Sequence, residues 1–547
     1  MDYTKEDLKV FKHRDIKPEQ IDRQLANFEK GFDYVDLSEP ATIGNGIIRI
    51  EAEDEERLNA NFDKARQECE LLKMVPASGS ATRMFKDLFT FMDTYTGTEE
   101  EFLEFVQDKG AGTMHDFFLK LNELPFYNRL SAALWNDGKD IDKMIAKRQF
   151  NEILSYILTD KGLNYGNTPK GLVDFHIYRD FVRTAFDEHI VEGGMYCNNG
   201  KIARLHFTVS EEYINLFKER LKKVTKVFEK MFNIKYEVTF SIQKPSTDTV
   251  SLTDKGELLR DSEGKLVFRP GGHGALIYNL NELKADIIFI KNIDNVIPDR
   301  AKGDTIKYKK LLAGTLVELQ EKIFSYLSML DKKPTEEQLR EIEAFMGQIG
   351  YKEAEGKTYK NQKERIKHLH QLLDRPIRVC GMVKNEGEPG GGPFWVKMKD
   401  GSSRLMIIES AQINLKDKEQ KKVFDHSTHF NPVDLVCGVK NYKGKKFDLE
   451  KFIAPEQGFI THKSYKGKEI KVQELPGLWN GAMANWITVF VEVPLTTFTP
   501  VKTVFDLFRF EHRNVLKNKS QMGFIFYKIR KVNRKIWENK KIIYCWY

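Results

Sequence analysis

Two hydrophobic periods alternate along this chain. Residues 1 to about 70 have helical spacing, with Ile21, Leu25 and Phe28 on one face and the charged run from Arg57 to Phe62 continuing it, which predicts an N-terminal helical lobe over 1–70. Leu71 to Val75 is a short apolar run that predicts a strand, and it opens into a loop of small residues, Ala77 to Ala81, before a further helix. Helical spacing then dominates 87–165, as at Phe117, Phe118, Leu121 and Leu124. Between 174 and 300 the period switches back and forth. Ala185 to Ile190 and Glu211 to Met231 predict helices, Ala203 to Val209 and Tyr236 to Ile242 strands, and Ile287 to Ile290 a strand buried on both faces after a helix that starts near Ala275. Such alternation predicts a largely parallel sheet flanked by helices. Residues 301–374 are helical again, with Leu311, Leu312, Leu316 and Leu319 on one stripe and a charged helix from Thr335 to Ile342; from Arg375 the texture is β and turn.

Composition and charge refine this picture. At 547 residues with 41% hydrophobic and 31% charged positions the chain reads as a soluble globular body of several lobes. No run approaches the ~18 apolar residues a membrane helix needs, and the N-terminus has no signal-peptide pattern, so no membrane partner and a cytoplasmic location are the expectations. The five cysteines are odd in number and far apart, which suggests neither a disulfide framework nor a zinc knuckle. The net charge of +7 is a property of the end of the chain: Arg513 to Tyr547 has ten Lys/Arg against Glu538 alone, leaving 77 basic and 79 acidic residues elsewhere. An electrostatic footprint for nucleic acid is therefore confined to 513–547, where Phe524, Phe526, Tyr527, Trp537, Tyr544 and Trp546 interleave with the cations. That stretch reads either as an arm for nucleic acid or an anionic membrane, or as a tail appended beyond a domain end near His512.

Candidate chemistry collects where strands end. Gly271, Gly272 and Gly274 around His273 form a loop whose backbone can approach a ligand, ahead of a helix whose positive end suits anionic or polar groups. In an open α/β sheet ligands bind beyond the carboxyl ends of strands, which is where Asn292, Asp294 and Asn295 fall; Asp294 is a candidate magnesium ligand, or an Asp that caps a turn. Ser78, Gly79, Ser80 and Thr82 likewise leave N–H groups free to line a triphosphate, with Arg83 and Lys86 supplying positive charge, although no Gly-Lys-Ser/Thr follows as a Walker A loop requires. Pro169-Lys170 reads by itself as an ordinary loop. After the strand ending at Ile242, Gln243 offers an amide with both donor and acceptor, or is a surface residue. Gly391 and Gly392 enter an aromatic strand, and Glu409 ends the next one, where its carboxylate offers paired hydrogen-bond acceptors; hairpin structure alone also accounts for the glycines. Lys307, Lys309 and Lys310 are further cations that could face a phosphate, and Asp299 is a guess at a second metal carboxylate.

Several of these stretches resemble the UTP–sugar-1-phosphate uridylyltransferases, or UDP-sugar pyrophosphorylases. The resemblance lies in Pro270-Gly271-Gly272-His273-Gly274 followed by Asn292-Ile293-Asp294-Asn295, in Gly79, Thr82, Arg83 and Met84 of a signature loop whose second glycine is replaced by Ala81, and in Phe498-Thr499-Pro500-Val501-Lys502-Thr503 ahead of Asp506-Leu507. The wording of Glu386 to Trp395 and Glu474 to Val491 is closer to a bacterial branch known only as a domain of unknown function. The resemblance implies a GT-A-like (Rossmann-like) fold over 71–512, with helical insertions at 87–165 and 301–374, a C-terminal β-rich part, and a Mg²⁺-dependent reaction of an NTP with a sugar-1-phosphate. It assigns Arg83, Lys86, Lys170 and Lys502 to phosphates and Asp294 to the metal. Ser78, Gly79, Ser80, Thr82, Gln243, Gly272, His273 and Gly274 go to the nucleotide, and Asn292, Gly391, Gly392 and Glu409 to the sugar. Ala81 would narrow the signature loop, and in the family the Pro-Lys pair follows that loop closely, so a diverged nucleotide-sugar sensor or scaffold is the alternative.

Overall fold

The computed structural model describes residues 3–387 and 390–513. Among them a ten-stranded sheet forms the centre. From edge to edge it runs Thr42–Ile43, Gly46–Ile48, Ile487–Glu492, Ile377–Lys384, Asp434–Gly438, Ile287–Lys291, Leu71–Pro76, Ile202–Val209 and Lys235–Ile242, with His429–Phe430 pairing Ile377–Lys384. Asp434–Gly438 is antiparallel to both neighbours, and every other adjacent pair along that path is parallel. The expected mixed, mainly parallel sheet flanked by helices is therefore present. Its apolar runs are central because a parallel strand has helices on both faces: Ile287, Ile288, Phe289 and Ile290 are all buried, each contributing roughly 1.5–3 kcal/mol by leaving water.

One face is covered by Ala52–Glu68, Ala185–Tyr196 and the 28-residue helix Gly303–Leu330. The crossing of the first and last is close because Gly314 has no side chain; a Cβ there would stand 2.1 Å from the carbonyl oxygen of Leu58. The opposite face packs Leu276, Ile277 and Leu280 of the short helix Leu276–Glu282 against Met74, Ile288 and Ile290. At the side, six helices between Lys86 and Leu158 build an aromatic core on Phe207 and Val209. Two four-stranded sheets complete the β-rich part, one from Leu37–Pro40, Gly392–Lys397, Ser403–Ile408 and Tyr351–Lys352, the other from Phe268–Arg269, Thr249–Thr253, Lys468–Glu474 and Phe459–Tyr465.

The N-terminal stretch departs from expectation. Lys5–Arg14 and Pro18–Lys30 are helices, and Phe11, Ile16 and Ile21 pack on Val250 and Leu266, but residues 37–48 form three short strands, two of which belong to the central sheet. Runs of two to four residues are too short for a period to show. The sheet's chain direction gathers the loops after Pro76, Val209, Ile242, Lys291 and Lys384 at one edge, where antiparallel Asp434 also begins beside Lys291. That edge is where an open α/β sheet places a ligand. The basic segment after Arg513 lies outside the described residues.

Candidate active site

The strand Ile287–Lys291 ends in Asn292-Ile293-Asp294-Asn295, and two distant lysines reach the same carboxylate oxygen. Lys170 Nζ donates to Asp294 Oδ2 at 2.8 Å and Lys502 Nζ donates to it at 3.1 Å. Burial pushes the Asp294 carboxyl upward, but the two ammonium groups outweigh it and hold the pKa below the usual carboxylate value. The other oxygen, Oδ1, is buried and has no hydrogen-bond partner. A buried carboxylate oxygen without a partner, set at a strand end between two lysines, is a place for a ligand.

Local chain geometry explains how the lysines arrive. The helices of 86–158 leave and return at one point: Ser80 bridges Pro169, the Lys170 N–H donates to Gly79 O at 3.0 Å, and the Ala81 N–H donates to Thr168 O at 3.0 Å. The Pro-Lys pair, far from the small-residue loop in sequence, is thus its immediate neighbour. Lys502 is carried by a segment sewn to the strand end. The Val501 N–H donates to Asp294 O at 3.1 Å, Asn295 Nδ2 donates to Thr497 O at 3.2 Å, and Asn295 Oδ1 accepts from the Thr499 N–H at 3.0 Å. Asp506 caps the turn beyond, accepting from the Lys502 and Thr503 N–H groups at 2.7 Å each.

The small-residue loop faces open space. A Cβ added at Gly79 would meet nothing within 4 Å. Ser78 O accepts from Ser210 Oγ at 2.9 Å, and the Ser80 and Thr82 hydroxyls are 2.6 Å apart. Ala81 does not narrow the loop as expected, because its methyl is fully buried in the aromatic core. Arg83 and Lys86 are exposed on the turn Ala81–Arg83 and the start of the helix Lys86–Thr94, and among the described residues neither pairs with a carboxylate. The structure does not bring them to Asp294.

A second group forms around Glu409. His273 stacks on Trp479 at 4.2 Å between ring centroids, and its Nδ1 accepts the Leu478 N–H at 3.0 Å. Burial pulls its pKa down to about 4, so the ring is neutral and the proton sits on Nε2, which lies 3.9 Å from Glu409 Oε1. Burial, then the nearby Glu474, raise the Glu409 carboxyl above its usual range. A Cβ at Gly391 would stand 3.5 Å from both Glu409 Cγ and Asn480 Nδ2, and Gly392 pairs with Ile408, so these glycines border the same carboxylate. The Trp479 carbonyl accepts from the buried Arg378 at 2.5 Å, which fixes the stack to the sheet. Glu474 and Trp479 belong to a stretch marked in the sequence by its wording but given no site role there, since their position beside His273 follows from the return of the Lys468–Glu474 strand.

Three expectations change. The glycines of 271–274 serve the protein's own backbone: a Cβ at Gly274 would lie 2.2 Å from Pro476 O and one at Gly271 2.5 Å from Thr247 O, while Gly272 holds φ at +78° against Glu474. Asp299 is engaged by Arg183 at 2.7 Å and Lys302 at 3.2 Å, away from Asp294. Lys307 pairs with Glu55 at 2.7 Å and Lys309 with buried Asp434, so neither faces a phosphate. Gln243 follows its strand half-buried, with Nε2 unpartnered, and Asn292 offers its carbonyl to His189. Among the described residues no group of three His, Cys, Asp or Glu side chains forms a metal cluster.

No curated protein matches the sequence. Solved structures that the chain is similar to include a UDP-glucose pyrophosphorylase from Leishmania major (13% identity, 92% of this chain and 77% of that one, TM-score 0.41) and the UDP-N-acetylglucosamine pyrophosphorylase of Trypanosoma brucei (12% identity, 89% and 73%, TM-score 0.44). A UDP-glucose phosphorylase of Trypanosoma brucei is similar at 12% identity over 92% and 77%, with a TM-score of 0.41. A family model matches residues 4–513, nearly the whole described chain, and the protein belongs to that family, described as Domain of unknown function (DUF4301).

Proposed function

We propose that this protein is a nucleotidyltransferase that joins the phosphate of a sugar-1-phosphate to the α-phosphorus of an NTP, with UTP the nucleotide expected, and releases pyrophosphate. The observation that carries the reading is the convergence of Lys170 and Lys502 on Asp294 beside the open Gly79 loop, with Asp294 Oδ1 left buried and unpartnered. In the reaction a sugar-phosphate oxygen forms a bond to the α-phosphorus as the bond to the β-phosphate oxygen breaks in line. The attacking oxygen is already ionised and needs no general base, so the protein's work is positioning and neutralising charge. Lys502, 60% exposed, is free to swing from Asp294 to a phosphate, whereas Lys170, 14% exposed, stays and holds the triphosphate side. The N–H groups of Ser78 to Thr82 and the cations Arg83 and Lys86 extend that side, and the Gln243 amide takes the base. Neutral His273, Glu409 and the Gly391–Gly392 backbone take sugar hydroxyls. His273 is thereby moved from the nucleotide to the sugar.

Asp294 Oδ1 fits a Mg²⁺ ion, which commonly binds one or two carboxylates and takes the rest of its shell from water and substrate phosphate. When bound, the ion would supply further neutralisation of phosphate charge. A second reading is favoured by the engagement of Asp299 elsewhere, which leaves one carboxylate at the corner: a protein that binds a nucleotide sugar without making one. Incubation with UTP, Mg²⁺ and a panel of sugar-1-phosphates decides between them. Pyrophosphate release supports the enzyme, binding of UDP-sugar without release supports the sensor, and neither outcome removes both.

A further inference from the structure

A set of buried ions behind the sheet edge is not used by the proposed reaction. Lys73, inside the strand Leu71–Pro76, and Lys291, the last residue of its neighbour, are fully buried, and both reach Glu192 of the helix Ala185–Tyr196. Lys73 Nζ donates to Glu192 Oε2 at 2.7 Å and Lys291 Nζ to Oε1 at 2.8 Å; Tyr196 Oη also donates to Oε2, at 3.1 Å. Lys73 donates in addition to the His189 carbonyl at 3.2 Å. His189, one turn before Glu192, lies between Asn292 O at 3.1 Å and Ile293 O at 3.2 Å through Nε2. Two carbonyls can only accept, so Nε2 carries the proton; Nδ1 is buried without a partner, and burial together with the Lys73 charge keeps the ring neutral.

Buried ion pairs return little net stability, because desolvation offsets most of the attraction. An apolar helix face would pack on this sheet as well. What the ionic set supplies is direction, since each hydrogen bond fixes one group at the strand end. Lys291 is held by Glu192, the carbonyls of Asn292 and Ile293 by His189, the carbonyl of Asp294 by the Val501 N–H, and the Asn295 amide by Thr497 and Thr499. Asp294 is the residue whose side chain this leaves projecting into the site.

We propose that His189 and Glu192 are positioning residues, through which the helix Ala185–Tyr196 fixes the direction of the Asp294 carboxylate so that Oδ2 meets both lysines and Oδ1 remains free for a ligand. The inference rests on the reading of Asp294 as the site carboxylate. His189 is the one to perturb, because Glu192→Gln would leave two buried ammonium groups without a counter-charge and loss of the fold would obscure the result. His189→Leu removes the donor, and His189→Gln keeps an N–H at the end of the side chain.

Two measurements on the full-length protein test this. In hydrogen exchange without ligand, His189→Leu is expected to speed exchange of the Ile293 to Asn295 amides about tenfold or more, relative to the strand Ile287–Lys291 in the same molecule. In calorimetry with Mn²⁺·UTP the same variant is expected to bind at least about tenfold more weakly, the scale on which partners behind a metal ligand act, with His189→Gln recovering most of both losses. Unchanged exchange at 293–295, or an equal rise in loop and strand, would overturn the proposal, since a residue that merely supports the fold loosens both. Selective loosening of the loop in a protein whose wild type binds no Mn²⁺·UTP would support positioning by His189 and remove the nucleotide reading instead.

Discussion

Lys502 and Lys170 share one carboxylate oxygen but differ in burial, and this difference separates their roles experimentally. Lys502 is 60% exposed, so water screens its charge, and Asp294 keeps Lys170 as a partner when it is removed; Lys502→Ala should therefore cost no more than about 1 kcal/mol and leave the thermal midpoint within about 2 °C of wild type. Its removal should nevertheless lower turnover about 10²-fold or more, corresponding to about 2.7 kcal/mol of lost stabilisation of charge that develops in the transition state. Lys170 is 14% exposed against a carboxylate that is 10% exposed. Removing one partner of a buried pair costs about 3–5 kcal/mol when nothing else compensates, and with Lys502 still present the loss for Lys170→Ala should be a part of that, visible as a clear drop in the midpoint. The assay is pyrophosphate release at saturating UTP and sugar-1-phosphate, alongside thermal unfolding of the same preparations. Wild-type turnover in Lys502→Ala would refute its placement on a phosphate. An equal loss of stability in both variants would refute the argument from burial.

Four further outcomes are expected. Asp294→Asn should abolish magnesium-dependent activity, because a neutral amide is a weaker ligand for a hard cation; an unchanged magnesium titration would place the metal elsewhere. Gly79→Val should weaken UTP binding more than sugar-phosphate binding in calorimetry while leaving stability alone, since the new side chain enters open space; equal losses for both ligands would show that the loop is misplaced. Glu409→Gln should weaken sugar-phosphate binding and stabilise the fold at neutral pH. The folded-state pKa of Glu409 is raised, so its ionised form costs stability above that pKa and the cost disappears as pH falls; the gain of the amide variant should therefore be present at pH 7 and vanish at low pH, and a gain independent of pH would contradict this. Deleting residues 514–547 should leave catalysis within a few-fold, because every proposed ligand precedes them, whereas salt-sensitive RNA or liposome binding lost with the tail would establish it as an arm.

Among the described residues no helix is long and apolar enough to cross a membrane, in line with the hydropathy of the sequence. The central strands were legible for a physical reason: a strand buried on both faces is dominated by apolar residues, and Ile287 to Ile290, and Leu71 to Val75 apart from Lys73, show that with local information alone. The position of Asp294 just past a strand end was legible in the same way, and the glycine at 79 and the lysines at 170 and 502 were legible as residue types. Their meeting was not. Lys170 reaches Asp294 because the helices of 86–158 return to the point they left, and Lys502 because Asn295 and Asp294 bind its segment. Both facts depend on distances between parts of the chain that no period encodes. Gly271 and Gly274 looked like ligand contacts, since a glycine in sequence does not say which backbone comes close; here it is the protein's own. Lys73, Lys291, Glu192 and His189 are polar residues inside the core, and only the tertiary structure supplies the partners that make them tolerable there. Sequence thus determined which segments are buried and which chemical groups end them, while the closing of distant segments upon one another decided which of those groups act together.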